Sequence, residues 1–231
     1  MMYGVYCPPG TGGGGGGYPG ALAAADFIND VYQVAEVDVD VATVIDNPSM
    51  IDPSGLGINW NNPNTIRYLL GDFLAVALAV EWTMVIEWSM AENFDMQIMG
   101  IGQAGGSGDL LFIDNHTPDP SGFDDVEVTD DSAGSSVERI AGVNALPFST
   151  TPIRKIAFTR TTDRLSLSLG GGAVNSDGTD VVAFSGADTA TLGNYSFPIT
   201  DPDQYASMNG HIRKIIIYPV ALDADLPSMS A

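Results

Sequence analysis

PIRKIAFTRTTDRLSLSLGGGAV, residues 152–174, contains two runs in which apolar side chains alternate with polar or small ones. Ile156 and Phe158 lie two positions apart in the first run, and leucines occupy positions 165, 167 and 169 of the second. A period of two places successive side chains on opposite faces of a β-strand. Thr161-Thr162-Asp163 separates the runs, and glycines follow the second. This stretch therefore predicts a β-hairpin with one buried face.

Runs with strand character recur along most of the chain. Methionine, isoleucine and tryptophan fill alternate positions of residues 84–90, and valines alternate with acidic residues over 36–41. Turn-forming residues separate the runs, as at 105–108, 118–122 and 170–172. Many short strands with such turns are typical of a sandwich or a jelly roll, so we predict an all-β, antiparallel β-sandwich. Further strands are predicted at residues 96–101, 110–113, 127–129, 181–184 and 212–218.

Helical signals are few. Residues 69–79 are the best helix candidate, although a short apolar run of this kind is equally compatible with a buried strand. Residues 221–229 can hold a helical turn, which we expect Pro227 to cut short. The most apolar stretch, 73–86, contains Glu81 and is shorter than the roughly 20 apolar residues that a membrane-spanning helix needs.

A second segment, MNGHIRKIIIYPVALDADL at residues 208–226, turns at Asn209-Gly210 into a strand that leaves at Tyr218-Pro219. Together with the 152–174 hairpin it resembles the concanavalin A-like lectin/glucanase fold, and in particular the laminin-G-like domains of bacteriophage structural proteins. The resemblance implies that the hairpin lines the core of the sandwich. It also implies that the last strand returns beside the N-terminal strands and closes the fold.

Charge excludes several classes of partner. The chain has 29 acidic and 8 basic residues and a net charge of −21, which repels nucleic-acid phosphates and anionic membranes. We therefore expect no nucleic-acid or membrane partner, and we expect neutral sugars, cations or other proteins instead. Cys7 is the single cysteine, so it cannot form an internal disulfide.

Residues 1–20 form a glycine-, proline- and tyrosine-rich N-terminal arm, and residues 21–231 form the predicted sandwich domain. The arm lacks a basic segment followed by an apolar one, so we expect no secretory signal peptide. Glycines 12–17 are typical of a flexible leader. In virions, neighbouring subunits often contact one another through such arms. If this arm does so, the residues that make the assembly contacts are predicted to be Tyr3, Tyr6, Pro8, Pro9 and Tyr18.

A carboxylate-rich run offers the one pattern that suggests catalysis. In an extended strand Glu36, Asp38 and Asp40 would share a face, with neighbouring members roughly 7 Å apart. Sandwich glucanases carry a similar motif, in which one carboxylate is the nucleophile and another the acid. A solvated acidic strand face is the alternative, and we prefer it because Asp40 is shorter than the glutamate of that motif.

Two groups of residues suggest ligand binding. The acidic loop after residue 113 offers the hard oxygen ligands that Ca²⁺ prefers, although it has no EF-hand spacing, so calcium is the one cofactor the sequence allows. Its candidate ligands are Asp114, Asp119, Asp124 and Asp125. Sugar binding needs an aromatic platform and amide groups, and the candidates are Trp60, Asn61, Asn62, Asn64, Asn115 and His116.

The remaining motifs predict structure. The two histidines, His116 and His211, are too few and too far apart for a zinc site, and His211 begins the last predicted strand. Residues 100–105 superficially resemble a dinucleotide fingerprint without the following helix. We expect the late-clustered basic residues to pair with acids at the surface: Arg139, Arg154, Lys155, Arg160, Arg164, Arg213 and Lys214.

These observations predict a non-enzymatic structural or decoration protein on the surface of a virion, capsid or tail, with an arm that contacts copies of itself and other virion proteins. The alternative is an extracellular or particle-bound carbohydrate-binding module that attaches to a cell-surface glycan. A glycoside hydrolase that uses Glu36, Asp38 and Asp40 is the third hypothesis.

Overall fold

The computed structural model describes residues 17–59, 67–90, 96–103, 109–116, 124–130, 138–144, 153–177, 183–193 and 208–231. Two α-helices lie in these ranges, α1 (Gly71–Ala77) and α2 (Leu226–Ser230). The strands are β1 Ala23–Asp26, β2 Val31–Val34, β3 Val37–Asp38, β4 Ile51–Asp52, β5 Gly55–Ile58, β6 Arg67–Tyr68, β7 Trp82–Met90, β8 Met96–Gly102, β9 Asp109–His116, β10 Asp124–Asp130, β11 Glu138–Asn144, β12 Ile153–Thr161, β13 Arg164–Leu169, β14 Asn175–Asp177, β15 Thr189–Leu192 and β16 Gly210–Tyr218.

Two antiparallel sheets form a sandwich, as predicted. Within the described residues the larger sheet has ten strands, in the order β14-β13-β12-β7-β16-β1-β2-β3, with β5 added beside β16 and β4 beside β5. The smaller sheet has six strands in the order β11-β10-β9-β8-β15-β6. The last strand, β16, pairs with β1, which is the closure that the resemblance implied.

The predicted hairpin is confirmed as β12 and β13. Phe158 pairs with Leu167 and Ile156 with Leu169, so the apolar sets of both strands share one face. All four side chains are buried in the core between the sheets. The turn is closed by Glu81, whose carboxylate accepts hydrogen bonds from the Thr162 amide at 3.2 Å and hydroxyl at 3.0 Å.

The core lies between the inner faces of the two sheets. Strand β7 contributes alternate residues from Trp82 to Met90, and the Trp82 ring meets Phe158 edge-on at 5.2 Å between centroids. Trp88 is also buried in this core. Residues facing them from the six-stranded sheet include Ile98, Met99, Ile101, Leu111, Ile113, Val126, Val128, Ala190 and Leu192.

One ion pair crosses this core. The Arg160 side chain on β12 is 0% exposed and that of Asp130 on β10 is 1% exposed, and Nε of Arg160 lies 2.5 Å from Oδ2 of Asp130. Arg160 also donates to the Val80 carbonyl and lies 3.9 Å from the ring centroid of Phe184. The expectation that the basic residues pair at the surface is therefore wrong for Arg160 and also for Arg154, because strand alternation turns both toward the buried side of β12 that carries Phe158.

The outer face of the ten-stranded sheet carries a row of opposite charges. Register aligns Lys155, Glu87, Lys214 and Asp26 on the neighbouring strands β12, β7, β16 and β1. Lys214 lies 3.2 Å from Asp26, and Arg213 donates to Glu87 at 2.7 Å. We call these four aligned residues the charge ladder, and cross-strand pairs of opposite charge of this kind stabilise a sheet.

Both described ends of the chain attach to the charge ladder. The Tyr18 hydroxyl donates to Asp26, and Lys155 donates to the carbonyl of Ala231 at 2.9 Å. Helix α2 covers the same outer face, where Leu226 and Met229 form a second small apolar cluster. Tyr18, predicted as part of an assembly arm, thus contacts its own sandwich domain; Tyr3, Tyr6, Pro8 and Pro9 lie outside the described residues.

Three local predictions are wrong. Residues 36–41 do not form one alternating strand, because the chain turns at Ala35 and Glu36 with positive φ and leaves Val37 63% exposed. Residues 183 and 184 are not in a strand, and the Phe184 ring contacts Arg160 instead. Pro227 does not cut a helix but lies in the first turn of α2. Backbone N–H groups in a first turn make no hydrogen bond within the helix, so a proline costs none there.

The predicted helix at 69–79 is confirmed as α1. Its buried residues, Phe73 and Ala77, are one helical turn apart. In the described parts of the chain no helix is long and apolar enough to cross a membrane.

Replacing Arg160 by methionine should lower the free energy of unfolding by about 3–5 kcal/mol, because Asp130 would stay buried without its cation. The double variant Arg160→Met, Asp130→Leu should lose much less. Urea unfolding followed by tryptophan fluorescence measures both. Arg164→Ala is the matched control: its pair with Asp223 is about one-third exposed, at 34% and 37%, and should contribute about 0–1 kcal/mol. Equal losses in the single and double variants would contradict the assignment.

The charge ladder should make stability fall in acid. Burial by itself would raise the pKa of Asp26, but hydrogen bonds from Tyr18 and Asn29 and the charge of Lys214 outweigh it and hold the pKa below its ordinary 3.8. A depressed folded-state pKa stabilises the protein above the unfolded pKa, and this contribution is lost as pH falls through the folded value.

Unfolding free energies measured at neutral pH and below pH 3.8 should therefore differ less in Asp26→Asn than in the unaltered chain. Asp163→Asn, at an exposed turn, is the control. An identical pH dependence in Asp26→Asn and the unaltered chain would contradict the prediction.

Candidate functional site

The strand ends that are joined by most of the long connections lie at one end of the sandwich. Strand register places the last residues of β7, β9, β11 and β15 at the same end as the first residues of β8, β10, β12 and β16. The sheets meet there, since a Cβ on Gly193 would lie 2.5 Å from Cγ2 of Ile58. We call this the loop end.

The loop end brings together the predicted ligand residues that have described positions. Asn115 and His116 end β9, and Asp124 and Asp125 begin β10, where Asp125 is the register partner of His116. Of these four only the backbone is described. Trp60, Asn61, Asn62, Asn64 and Asp119 lie outside the described residues, but the described positions that flank residues 60–66, Asn59 and Arg67, are near Gly210 and Leu192 at the same end.

Next to the loop end, along the strands, the outer face of the six-stranded sheet carries a row of polar side chains. Asp114 on β9 is the register partner of both Gln97 on β8 and Glu127 on β10. Glu127 lies between the core residues Val126 and Val128, so strand alternation turns it away from the core. All three side chains are nevertheless buried. Burial of two carboxylates and an amide outside the apolar core needs hydrogen-bonding partners.

A second row lies on the same outer face. In this row Tyr68 on the edge strand β6 pairs with Thr191 on β15, and Thr191 pairs with Gly100 on β8. Thr129 on β10 also lies on this face, and its hydroxyl bonds to Glu127. Gly100 places no side chain on the middle of the face, whereas the Tyr68 ring is 40% exposed. We call the set Tyr68, Gln97, Asp114, Glu127, Thr129 and Thr191 the polar face.

The polar face combines hydrogen-bond acceptors and donors. The Thr129 hydroxyl donates to Glu127 at 2.9 Å, and that of Thr191 donates to the Gly100 carbonyl at 3.4 Å. Carboxylates accept hydrogen bonds, whereas amides and hydroxyls both accept and donate. Among the residues of the polar face, Tyr68 is the one that is partly exposed, and the other five are buried.

The three predicted catalytic carboxylates do not form a site of this kind. Glu36 lies in the turn before β3 and accepts a hydrogen bond from the Gly20 amide at 2.7 Å. Asp38 accepts from Gln33 at 2.9 Å, and Asp40 caps a 3₁₀ turn by accepting from the Ala42 amide at 2.8 Å. All three are exposed. Each bonds to a different local partner, so they do not line one strand face.

The metal and histidine predictions have separate outcomes. In the described ranges no group of three or more His, Cys, Asp or Glu is placed to hold a metal ion. Asp119 lies outside the described residues, so calcium binding through it stays a prediction. His211 has the structural position expected for it, near the start of β16, where Nε2 lies 3.1 Å from Oδ2 of Asp52.

The sequence does not identify most of the polar face as a site. It predicts one strand that contains Glu127 and Thr129 and another that contains Gln97. The available signal was a polar residue between two strand-forming valines, which marks an outward position but does not identify which strands are neighbours. Tyr68 carried no signal, because β6 is only two residues long.

Comparisons with known proteins agree with the sandwich. No family model matches the chain, and no curated protein matches it by sequence. The fold is similar to the CBM40 module of Ruminococcus gnavus IT-sialidase bound to α2,3-sialyllactose, with a TM-score of 0.53 and 14% identity over 69% of this chain and 87% of that one. The same module bound to α2,6-sialyllactose gives a TM-score of 0.52 and 16% identity over 77% and 93%.

A leech intramolecular trans-sialidase complexed with 2,7-anhydro-Neu5Ac gives a TM-score of 0.52 and 16% identity over 76% of this chain and 26% of that one. At these identities the likeness shows the fold alone. It confirms the concanavalin-like, jelly-roll class of sandwich. The bacteriophage origin implied by the sequence resemblance stays a prediction.

Replacing Thr129 by valine should lower the free energy of unfolding by about 1–3 kcal/mol, because the buried Glu127 carboxylate loses a donor. Thr129→Ser keeps the hydroxyl and should lose less. Thermal or urea unfolding of the two variants measures the difference. If serine and valine destabilise equally, the hydroxyl of Thr129 does not support the polar face.

Proposed function

We propose that this protein is a non-enzymatic, lectin-like carbohydrate-binding module that holds a glycan against the polar face. The observation that carries the proposal is Tyr68, which is 40% exposed and lies two strands from β8 on a sheet face whose other outward positions include the polar residues Gln97, Asp114 and Glu127.

The chemistry of this face suits a sugar. Glycan hydroxyls donate hydrogen bonds, and ionised carboxylates are strong acceptors because the charge shortens and strengthens the bond. The apolar face of a sugar ring can pack on an aromatic side chain, which buries area and keeps the phenol hydroxyl in water. Asp114 is two residues from the end of β9, so residues of the loop end can extend the contact.

The comparisons support this proposal at the level of the fold. The two CBM40 structures are carbohydrate-binding modules with a bound sialyllactose, and the sandwich of this chain is similar to theirs. One sandwich fold can carry lectins, enzymes and scaffolds, so the fold alone does not assign the function. The polar face supplies the residues from which binding is argued.

The other two hypotheses have less support. The separate local roles of Glu36, Asp38 and Asp40 disfavour a hydrolase built on them. A location on a virion surface, with an N-terminal arm that contacts neighbouring subunits, is compatible with glycan binding and stays a prediction. A mass-spectrometric inventory of purified particles would test it.

A glycan array probed with the full chain should show binding above background, and Tyr68→Ala should weaken the strongest signal by about tenfold or more, since burial of an aromatic side chain contributes roughly 1.5–3 kcal/mol. Leu222→Ala is the matched control, because Leu222 is a 70% exposed apolar residue that lies before α2 and outside the polar face. Unchanged thermal unfolding must accompany the loss. An array without any binder, or equal losses in both variants, would contradict the proposal.

A further inference from the structure

We infer that the outer face of the ten-stranded sheet docks residues 219–231 of a second copy of this chain, so that two copies exchange these segments. We call residues 219–231 the strap; they follow β16, contain α2 and reach Ala231. The strap and the polar face lie on opposite sheets. The inference therefore does not depend on glycan binding.

The end of the strap is held by groups that match it. The Ser230 hydroxyl lies 2.9 Å from the Ser168 hydroxyl and accepts a hydrogen bond from the Gly171 amide at 3.0 Å. Lys155 donates to the Ala231 carbonyl at 2.9 Å. A Cβ on Gly171 would lie 3.3 Å from the Cβ of Ala231, and the positive φ of 76° also favours glycine there. These groups form a docking site for one short segment, whichever copy supplies it.

Apolar side chains of the strap pack on an apolar strip of the sheet. Leu226 is 0% exposed and Met229 is 5% exposed. The strip crosses four neighbouring strands at one register level and consists of Ala157, Val85, Ile216 and Ala24. When the strap leaves, this strip becomes an exposed apolar surface, which favours its coverage by the same segment of another copy.

Charge favours the same partner. The strap contains Asp223 and Asp225 and no basic residue. Six of the 8 basic residues of the chain lie on β12, β13 and β16 of the sheet that it covers, and Arg164 lies 3.3 Å from Asp223. Two copies of a chain with a net charge of −21 repel each other over most of their surfaces. The acidic strap and this cation-bearing face are complementary, so they offer a contact that avoids the repulsion.

The linker that joins the strap to β16, residues 219–222, is lightly packed. Val220 is 42% exposed and Leu222 is 70% exposed, whereas Ala221 is buried and its amide donates to the Thr83 hydroxyl at 2.8 Å. A segment with few buried apolar side chains opens locally at a lower free energy than the whole domain. Because both copies offer the same site, an exchanged strap regains the contacts that it leaves. Where the two linkers cross, Val220 of each copy can become buried as well.

Disulfide trapping in the full chain tests the exchange. One variant carries Ser168→Cys and the other Ser230→Cys, both with Cys7→Ser, and the two are mixed at high concentration and oxidised mildly. We expect a covalent dimer that contains both variants on a non-reducing gel, because an exchanged strap brings the two thiols within disulfide reach. Ser228→Cys mixed with Ser168→Cys is the matched control, since Ser228 lies on the exposed side of α2. The control mixture should give several-fold less heterodimer.

A lock on the strap provides the second measurement. One chain with both Ser168→Cys and Ser230→Cys should form an intrachain disulfide and stay monomeric. In the Cys7→Ser chain, light scattering should show a dimer fraction that rises with concentration. The inference would be overturned by equal heterodimer yields in the two mixtures, by a monomer at every concentration, by a dimer fraction that the lock does not reduce, or by failure of the lock to form. The glycan array remains a separate test of the proposed function.

Discussion

The buried ion pair between Arg160 and Asp130 joins the two sheets, and the position of the polar face depends on it. Asp130 ends β10, and alternation along that strand directs Asp130 and Val128 inward while Thr129 and Glu127 point outward. Because Arg160 also contacts Val80 and Phe184, the pair fixes β10 relative to β12 and to the turn before β7. The groups that we propose to contact a glycan therefore lie on a strand anchored through the core.

The outer face of the ten-stranded sheet is occupied by the chain itself. The charge ladder spans four strands, Tyr18 bonds to one end of it, and Ala231 bonds to the other. Helix α2 packs over the neighbouring apolar residues of the same face. This arrangement uses the two lysines of a very acidic chain for structure, and it leaves the polar groups of the other sheet as the better candidate for ligand binding.

Polar residues follow a different order across the strands of each sheet. In the charge ladder opposite charges alternate from strand to strand, so each carboxylate has a cation beside it. In the polar row two carboxylates and an amide occupy consecutive strands, and the described hydrogen bond of Glu127 comes from a neutral hydroxyl. The first order suits a closed structural surface. The second order places two carboxylates on neighbouring strands of the face that leads to the loop end.

Local alternation in the sequence by itself determined much of the fold: the β12–β13 hairpin, the buried row of β7, the strand β16 and the all-β class. Alternation is a property of adjacent residues, and burial of one face then follows from the hydrophobic effect. Only the tertiary structure decided that Asp114 neighbours Gln97 and Glu127, that Arg160 points inward to Asp130, and that residues 36–41 bend away from a single strand. Strand order and register join residues far apart in the chain, and the turn at Glu36 is stabilised by a hydrogen bond from Gly20, so no local pattern contains them.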